Sequence, residues 1–213
     1  ADVACSRWVD AAAVQPVALS AMLSLRFPDL RGAGLEGLDA PRVLVHGCGP
    51  GKDAIAWARN VENASVVGVE SNQAELALAL RKAAELDLSN VSFASADPGG
   101  DYDVVACPVL VAEDDNLAAT LGAMSDLARP GGWLHIGVQA EVCRPHIEAA
   151  REFARSGGYE DSAVGARACR RAFMDLPDDV EWKVVGGHFG LHTRTGCHEL
   201  FFGSERPYAT IPT

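Results

Sequence analysis

Apolar residues along the chain fall into two alternating patterns. Runs in which consecutive positions are apolar, often β-branched, recur at Val43-Leu44-Val45, Val66-Val67-Gly68-Val69 and Val104-Val105-Ala106-Cys107, and read as strands buried on both faces. Between and after them, apolar residues spaced three and four apart predict helices over 51–61, 72–86, 114–128 and 143–156. In the second of these, Leu76, Leu80, Ala83 and Leu86 share one stripe. An earlier helix is expected from Pro16 to Arg26, ending near Phe27-Pro28 and followed by a Gly-rich linker to Pro41. Strand and helix in alternation imply an α/β fold with a mostly parallel sheet and helices on both of its faces. The alternation is interrupted from Gly157 to Leu176, a helical insertion. A sixth strand near Val180–Val185 and a seventh near Glu199–Gly203 are expected after it, completing a seven-stranded sheet.

The first run empties into His46-Gly47-Cys48-Gly49-Pro50-Gly51 before a helix opens. Residues without Cβ at such a strand-to-helix turn let backbone N–H groups approach a ligand closely. The spacing decides which ligand. A dinucleotide fingerprint needs a glycine at position 52, where Lys52 stands, so nicotinamide and flavin cofactors are disfavoured. A phosphate loop needs a hydroxyl after Gly51-Lys52, where Asp53 stands, so an ATPase is disfavoured as well.

With 213 residues, 48% hydrophobic and 22% charged, the composition is that of one globular domain. Apolar runs break well short of the ~18 residues that a membrane helix needs, and no charged segment precedes an apolar one at the N-terminus. A soluble chain without a signal peptide is expected. The six cysteines, at 5, 48, 107, 143, 169 and 197, form no C-x-x-C pair and are expected as free thiols in a reducing, cytoplasmic setting. No metal is expected, since Cys197-His198 would point to opposite faces of a strand. A net charge of −11, with 18 basic against 29 acidic residues, disfavours nucleic acid as a partner. The local cluster Arg167, Arg170 and Arg171 falls at helical spacing and reads first as a solvated face, second as an anion clamp.

The Gly47-x-Gly49-x-Gly51 turn resembles the first motif of the class I S-adenosylmethionine-dependent methyltransferases, and the resemblance extends over residues 42 to 138. Val66-Val67-Gly68-Val69-Glu70 is similar to the family's second strand, whose terminal acid takes both ribose hydroxyls. Asn90 to Asp97 is similar to the third strand and its following acid, which binds the adenine amino group. Asp101 to Cys107 resembles the fourth strand, and Leu127-Ala128-Arg129-Pro130-Gly131-Gly132-Trp133-Leu134 resembles the turn into the fifth. The resemblance implies a Rossmann-like fold and S-adenosylmethionine as cofactor, with S-adenosylhomocysteine as product. It implies a cofactor site made of His46, Gly47, Cys48, Gly49, Gly51, Glu70, Ser71, Asp97 and Cys107. In domain terms, residues 1–40 would be an N-terminal helix and linker, 41–140 the cofactor-binding core, and 141–213 the substrate-side helices and last strands of a single 1–213 domain. The tail from Thr195 onward resembles the stretch after the core in some bacterial members that carry an appended regulatory domain.

One position departs from the family pattern. Members usually carry an acid two residues before the first motif glycine, where it helps to hold the methionine end of the cofactor, and this chain has Val45. Amino-directed members often carry [DN]-P-P-[FY] after the fourth strand; Ala106-Cys107-Pro108-Val109 disfavours a planar amine acceptor. The expected acceptor is a small molecule or an acceptor side chain, with a homodimer left open. His135 reads as a core residue of the fifth strand, and His188, His192 and His198 are candidate bases. Glu113, Asp114 and Asp115 read as a helix start. Two function classes stand: an active methyltransferase, favoured by the three glycines with Glu70 and Asp97, and a degenerate methyltransferase-like binding or scaffold domain, favoured by Val45. A fold relative binding a decarboxylated cofactor is a more remote third.

Overall fold

The computed structural model describes residues 15–27, 37–96, 98–108, 117–188, 191, 193–203 and 210–211. The chain forms two compact units, one spanning Asp10–Val138 and one drawn mainly from Gln139–Thr213.

The first unit is a five-stranded parallel sheet in the order β3-β2-β1-β4-β5, from β1 (Arg42–His46), β2 (Ser65–Val69), β3 (Val91–Ala94), β4 (Tyr102–Cys107) and β5 (Ala128–Ile136). Buried strands took the consecutive apolar runs: Val43, Leu44 and Val45 of β1 and Val104, Val105 and Ala106 of β4 are all fully inaccessible. From β1 the chain winds outward through β2 and β3, then returns to the other side of β1 as β4. Strand order therefore reverses between β1 and β4, and ligands of such open sheets bind beyond the carboxyl ends at that switch point.

Helices α1 (Leu19–Arg26), α2 (Lys52–Asn60), α3 (Gln73–Glu85) and α4 (Leu117–Leu127) belong to this unit. Helix α1 starts three residues later than the Pro16 expected, because Val17 is engaged in extended pairing with Val61. Leu19 and Leu23 of α1 pack with Trp57 and Ala58 of α2 and with Val43 and Val45 in one core. On α3 the buried stripe is Leu76, Ala79 and Ala83, whereas Leu80 is half exposed. The small Ala79 lies inward because Gly51 sits directly against it: a Cβ on Gly51 would be 2.8 Å from the Ala79 Cβ.

At the amino ends of the strands a buried acid ties three segments together. Asp103, 7% exposed, accepts the Arg42 backbone N–H at 2.7 Å through one oxygen and pairs with the Arg129 guanidinium through the other. The Arg42 guanidinium in turn lies 5.1 Å from the Tyr102 ring centroid.

The second unit is helical: α5 (Arg144–Ser156), α6 (Ala163–Met174), a 3-10 turn over Glu181–Val184, α7 (Val185–His188) and α8 (Arg194–Phe202), with a short parallel pair of β6 (Gln139–Ala140) and β7 (Thr210–Ile211). Its core is Ile147, Ala150, Phe173, Leu200 and Phe201, with Phe153 and Trp182 packed at its side, their rings tilted against each other.

The expected sixth and seventh strands are replaced by helix. Over Val180–Val185, Trp182 is half-buried and Val185 buried, while Val184 is 58% exposed, so the burial follows a helical turn of three rather than an alternation of two. Lys183 holds that turn in place by donating to the carbonyl of Leu176 at 2.5 Å and pairing with Asp178. Over Glu199–Gly203, the buried set is Cys197, Leu200 and Phe201, a helical spacing, and Thr193 caps α8 by accepting from the Gly196 N–H. The sheet therefore has five described strands, not seven.

Candidate functional site

The turn after β1 has a conformation that only glycine adopts readily. Gly47, Gly49 and Gly51 lie at φ of 64°, 52° and 87°. The chain's own backbone thus needs glycine at all three places, so the glycines follow from the turn itself and do not separate an active site from a degenerate one. They differ in surroundings. Gly51 is wedged against Ala79 and Phe93, whereas a Cβ on Gly47 would meet nothing within 4 Å. Gly47 is exposed at the carboxyl end of β1, next to the switch point.

Glu70 follows β2 and is half-buried, and each of its carboxylate oxygens accepts one backbone N–H. The Gly49 N–H reaches Oε2 at 2.9 Å and the Asn72 N–H reaches Oε1 at 2.8 Å. Its own backbone N–H is fixed to the Ala94 carbonyl at 3.0 Å. A carboxylate has about four acceptor positions. Two are taken by the main chain, and one on each oxygen is left for a ligand, which matches a vicinal diol. Glu70 is thus a carboxylate held at the lip of the glycine turn.

Other sequence-predicted site residues are placed as follows. Cys48 turns inward: it is 4% exposed, packs in the core with Gly68 beside its sulfur, and its N–H donates to the Val69 carbonyl at 3.0 Å. Burial, followed by the charge of Glu70, pushes its thiol up to about 12, so Cys48 stays protonated near neutral pH. His46, half-buried, ends β1 opposite Val69. Ser71 is exposed in the turn between Glu70 and Asn72. Cys107 ends β4, buried, and its carbonyl accepts the Gly137 N–H at 2.8 Å. A Cβ on Gly137 would lie 1.9 Å from the Pro108 carbonyl oxygen, so the ends of β4 and β5 are in the closest main-chain contact. Asp97, Glu113, Asp114, Asp115 and His192 lie outside the described residues, as does Cys5.

Val45 is a core residue. It pairs in register with Gly68 on one side and Ala106 on the other and is wholly inaccessible. His135 lies within β5, edge-on to Phe27 at 5.6 Å. In the second unit, His198 contacts Asp161 at 2.7 Å, and it shares helix α8 with Cys197, so the two are not on opposite faces of a strand. Arg170 donates to the Leu191 carbonyl at 2.6 Å, while Arg167 and Arg171 are exposed.

Two residues near the turn escaped the sequence reading. Asn72 is the N-cap of α3, its side chain accepting from the Ala74 and Glu75 N–H groups, and the Glu75 carboxylate comes within 3.2 Å of a Cβ placed on Gly49. The signal was present as Asn72-x-x-Glu75, a capping pattern at a helix start. Glu70, Glu75 and Asp53 make the surroundings of the turn acidic, as their common upward push on Cys48 shows. Such a field suits a ligand bearing hydroxyls or positive charge and opposes polyphosphate.

No helix among the described residues is long and apolar enough to cross a membrane. A family model described as a methyltransferase domain matches residues 43–132. Over 117 residues the chain is 31% identical to the ubiquinone biosynthesis O-methyltransferase of Acinetobacter baumannii strain ACICU, covering 52% of this chain and 47% of that protein. It is also similar to an uncharacterised protein of Synechococcus sp., 28% identical over 154 residues, which is 66% of this chain and 36% of that one. The chain spans about half the length of the curated methyltransferases it matches, 47% for the Acinetobacter protein. Its fold is similar to that of PKMT2 from Rickettsia typhi, solved in complex with AdoHcy, with a TM-score of 0.56 and 15% identity over 82% of this chain and 36% of that chain. A methyltransferase-domain match is thus laid over a sheet that reverses order at the glycine turn, and over residues 43–132 the chain is similar to S-adenosylmethionine-dependent methyltransferases.

Proposed function

We propose that this protein transfers a methyl group from S-adenosylmethionine to a small molecule or an acceptor side chain. The observation that carries the reading is the Glu70 carboxylate, fixed by two backbone N–H groups at the edge of a glycine turn that leaves open space at Gly47. In this reading Glu70 takes the ribose hydroxyls, the turn from His46 to Gly51 lies against the cofactor, and Asp97 takes the adenine amino group as the family resemblance implies. S-adenosylmethionine supplies an electrophilic methyl on a sulfonium centre. The chain's part is to fix that methyl in line with the acceptor, since alignment alone supplies much of the acceleration in such a displacement. Val45 leaves the usual acid position apolar, so the methionine end falls to the backbone groups of the turn and to His46. Residues 141–213 are assigned the choice of acceptor.

A thermal-shift titration tests the reading. S-adenosylmethionine and S-adenosylhomocysteine at about 100 times their dissociation constants should stabilise the fold by about 2.7 kcal/mol, or roughly 5 to 10 °C, while NAD and ATP should not. A shift with NAD or ATP, or none with either sulfur ligand, would overturn it.

A further inference from the structure

Glu70 does not hold itself in position. Its carboxylate is anchored by donors from two separate segments, the turn after β1 through Gly49 and the start of α3 through Asn72. The second anchor depends on a side chain whose own hydrogen bonds go to Ala74 and Glu75. Asn72 presents its N–H to Glu70 from an extended backbone (φ −75°, ψ 111°), and that backbone is tied to the first turn of α3 because Oδ1 accepts the Ala74 N–H at 3.0 Å and the Glu75 N–H at 3.3 Å. These bonds are solvent-exposed. If the cap is removed, water can satisfy the two freed N–H groups, the helix end loosens, and the Asn72 N–H is no longer aimed at Oε1.

We propose that Asn72 is a positioning residue for cofactor binding, and that its side-chain cap on α3 keeps the Glu70 carboxylate turned so that both oxygens face the ribose hydroxyls. The inference rests on the reading of Glu70 as the ribose ligand. Preorganisation of this kind matters because a carboxylate free to rotate must be ordered again on every binding event. Asn72 thereby couples the start of a helix to the affinity of the site.

The experiment is calorimetric titration of S-adenosylhomocysteine into the wild type, Asn72→Ala, Asn72→Asp, Asn72→Gly, Glu70→Ala and the Glu70→Ala/Asn72→Ala double variant, each with its melting temperature. Ser162→Ala is the control, since Ser162 caps α6 by accepting from the Gly165 N–H in the second unit. Asn72→Ala should weaken binding about fivefold, the equivalent of one lost cap, and Asn72→Asp should restore it to within about twofold. Asn72→Gly lacks the acceptor yet costs little stability as an N-cap, so it should fold and lose affinity as Asn72→Ala does. In the Glu70→Ala background, Asn72→Ala should have no further effect on affinity, because there is no carboxylate left to orient. Ser162→Ala should lower the melting temperature alone. Unchanged affinity in Asn72→Ala and Asn72→Gly, while Glu70→Ala loses tenfold or more, would overturn the positioning role. An equal loss in both backgrounds, or no rescue by Asp, would also overturn it and leave a plain helix cap. If Glu70→Ala itself binds normally, the ribose assignment fails first and the inference falls with it.

Discussion

Placing an acid at Val45 should destabilise the protein rather than improve its site. Val45 is wholly inaccessible, in register between Gly68 and Ala106, and packed in the core with Cys48, Trp57, Val66 and Val104. Of those side chains only the Trp57 indole and, weakly, the Cys48 thiol can donate, and none carries a positive charge to pair with a carboxylate. Val45→Asp removes apolar burial worth about 1.5 to 3 kcal/mol. It also buries an unpaired charge, which costs about a further 3 to 5 kcal/mol. The total approaches the whole stability of an ordinary domain, about 5 to 15 kcal/mol. At roughly 2 to 4 °C per kcal/mol for a chain of this size, the melting temperature should fall by about 10 to 30 °C. The loss has a pH signature. Burial raises the new carboxyl above its unfolded value, so its penalty is smallest where both states are protonated and grows as pH rises through the folded pKa. Melting followed by circular dichroism at pH 5 and pH 8, against wild type at the same pH, therefore shows the larger deficit at pH 8. Val45→Asn, close to Asp in shape but uncharged, serves as the control that separates the charge from the lost apolar packing. A Val45→Asp protein melting within about 2 °C of wild type and binding S-adenosylhomocysteine more tightly would show that Val45 faces the ligand, and would refute the reasoning.

Other perturbations test neighbouring parts of the account. Gly51→Ala places a Cβ 2.8 Å from that of Ala79 at a φ of 87° and should cost about 2 to 5 kcal/mol, read as a lower urea midpoint. Asp103→Ala strips the Arg42 N–H of its acceptor and Arg129 of its partner; it should cost about 1 to 3 kcal/mol by the same measurement and leave S-adenosylhomocysteine affinity unchanged, because the pair sits at the opposite end of the strands from Gly47. Cys48 and Cys169, each pushed up to about 12, should resist a thiol reagent at pH 8 until the protein is unfolded. Because those pKa values are raised on folding, the thiols contribute stability that is intact below about pH 9 and is lost as pH climbs toward about 12. Cys48→Ala should accordingly show a shallower alkaline loss of stability than wild type over that window.

The sheet was legible because a parallel strand leaves so few choices of residue. Val43 to Val45 and Val104 to Cys107 are apolar at every position since both faces are covered, and nothing but a buried strand explains such short runs between helices. The glycine turn and Glu70 were legible for a related reason: positive φ and a carboxylate at a strand end each restrict residue type sharply. The C-terminal part was not, because Val180–Val185 and Glu199–Gly203 carry aromatic and branched residues that suit strand or helix equally. What decided the matter lies elsewhere in the chain, in the Lys183 bond to Leu176 and the Thr193 cap. Close approaches were invisible for the same reason. Nothing adjacent in sequence announces that Gly51 meets Ala79, that Gly137 meets Pro108, or that Asp103 is buried between two arginines. Asn72 was a different kind of omission: its capping pattern stood in plain view and was read as the first residue of the helix.

Calorimetric titration of S-adenosylhomocysteine into the wild type and Glu70→Ala tests the central claim most directly. The account predicts saturable binding by the wild type and a loss of about 1.5 to 3 kcal/mol, on the order of 10- to 150-fold, when the carboxylate is removed from a protein that still folds. Equal affinity in the two proteins, or no binding by the wild type, would contradict it.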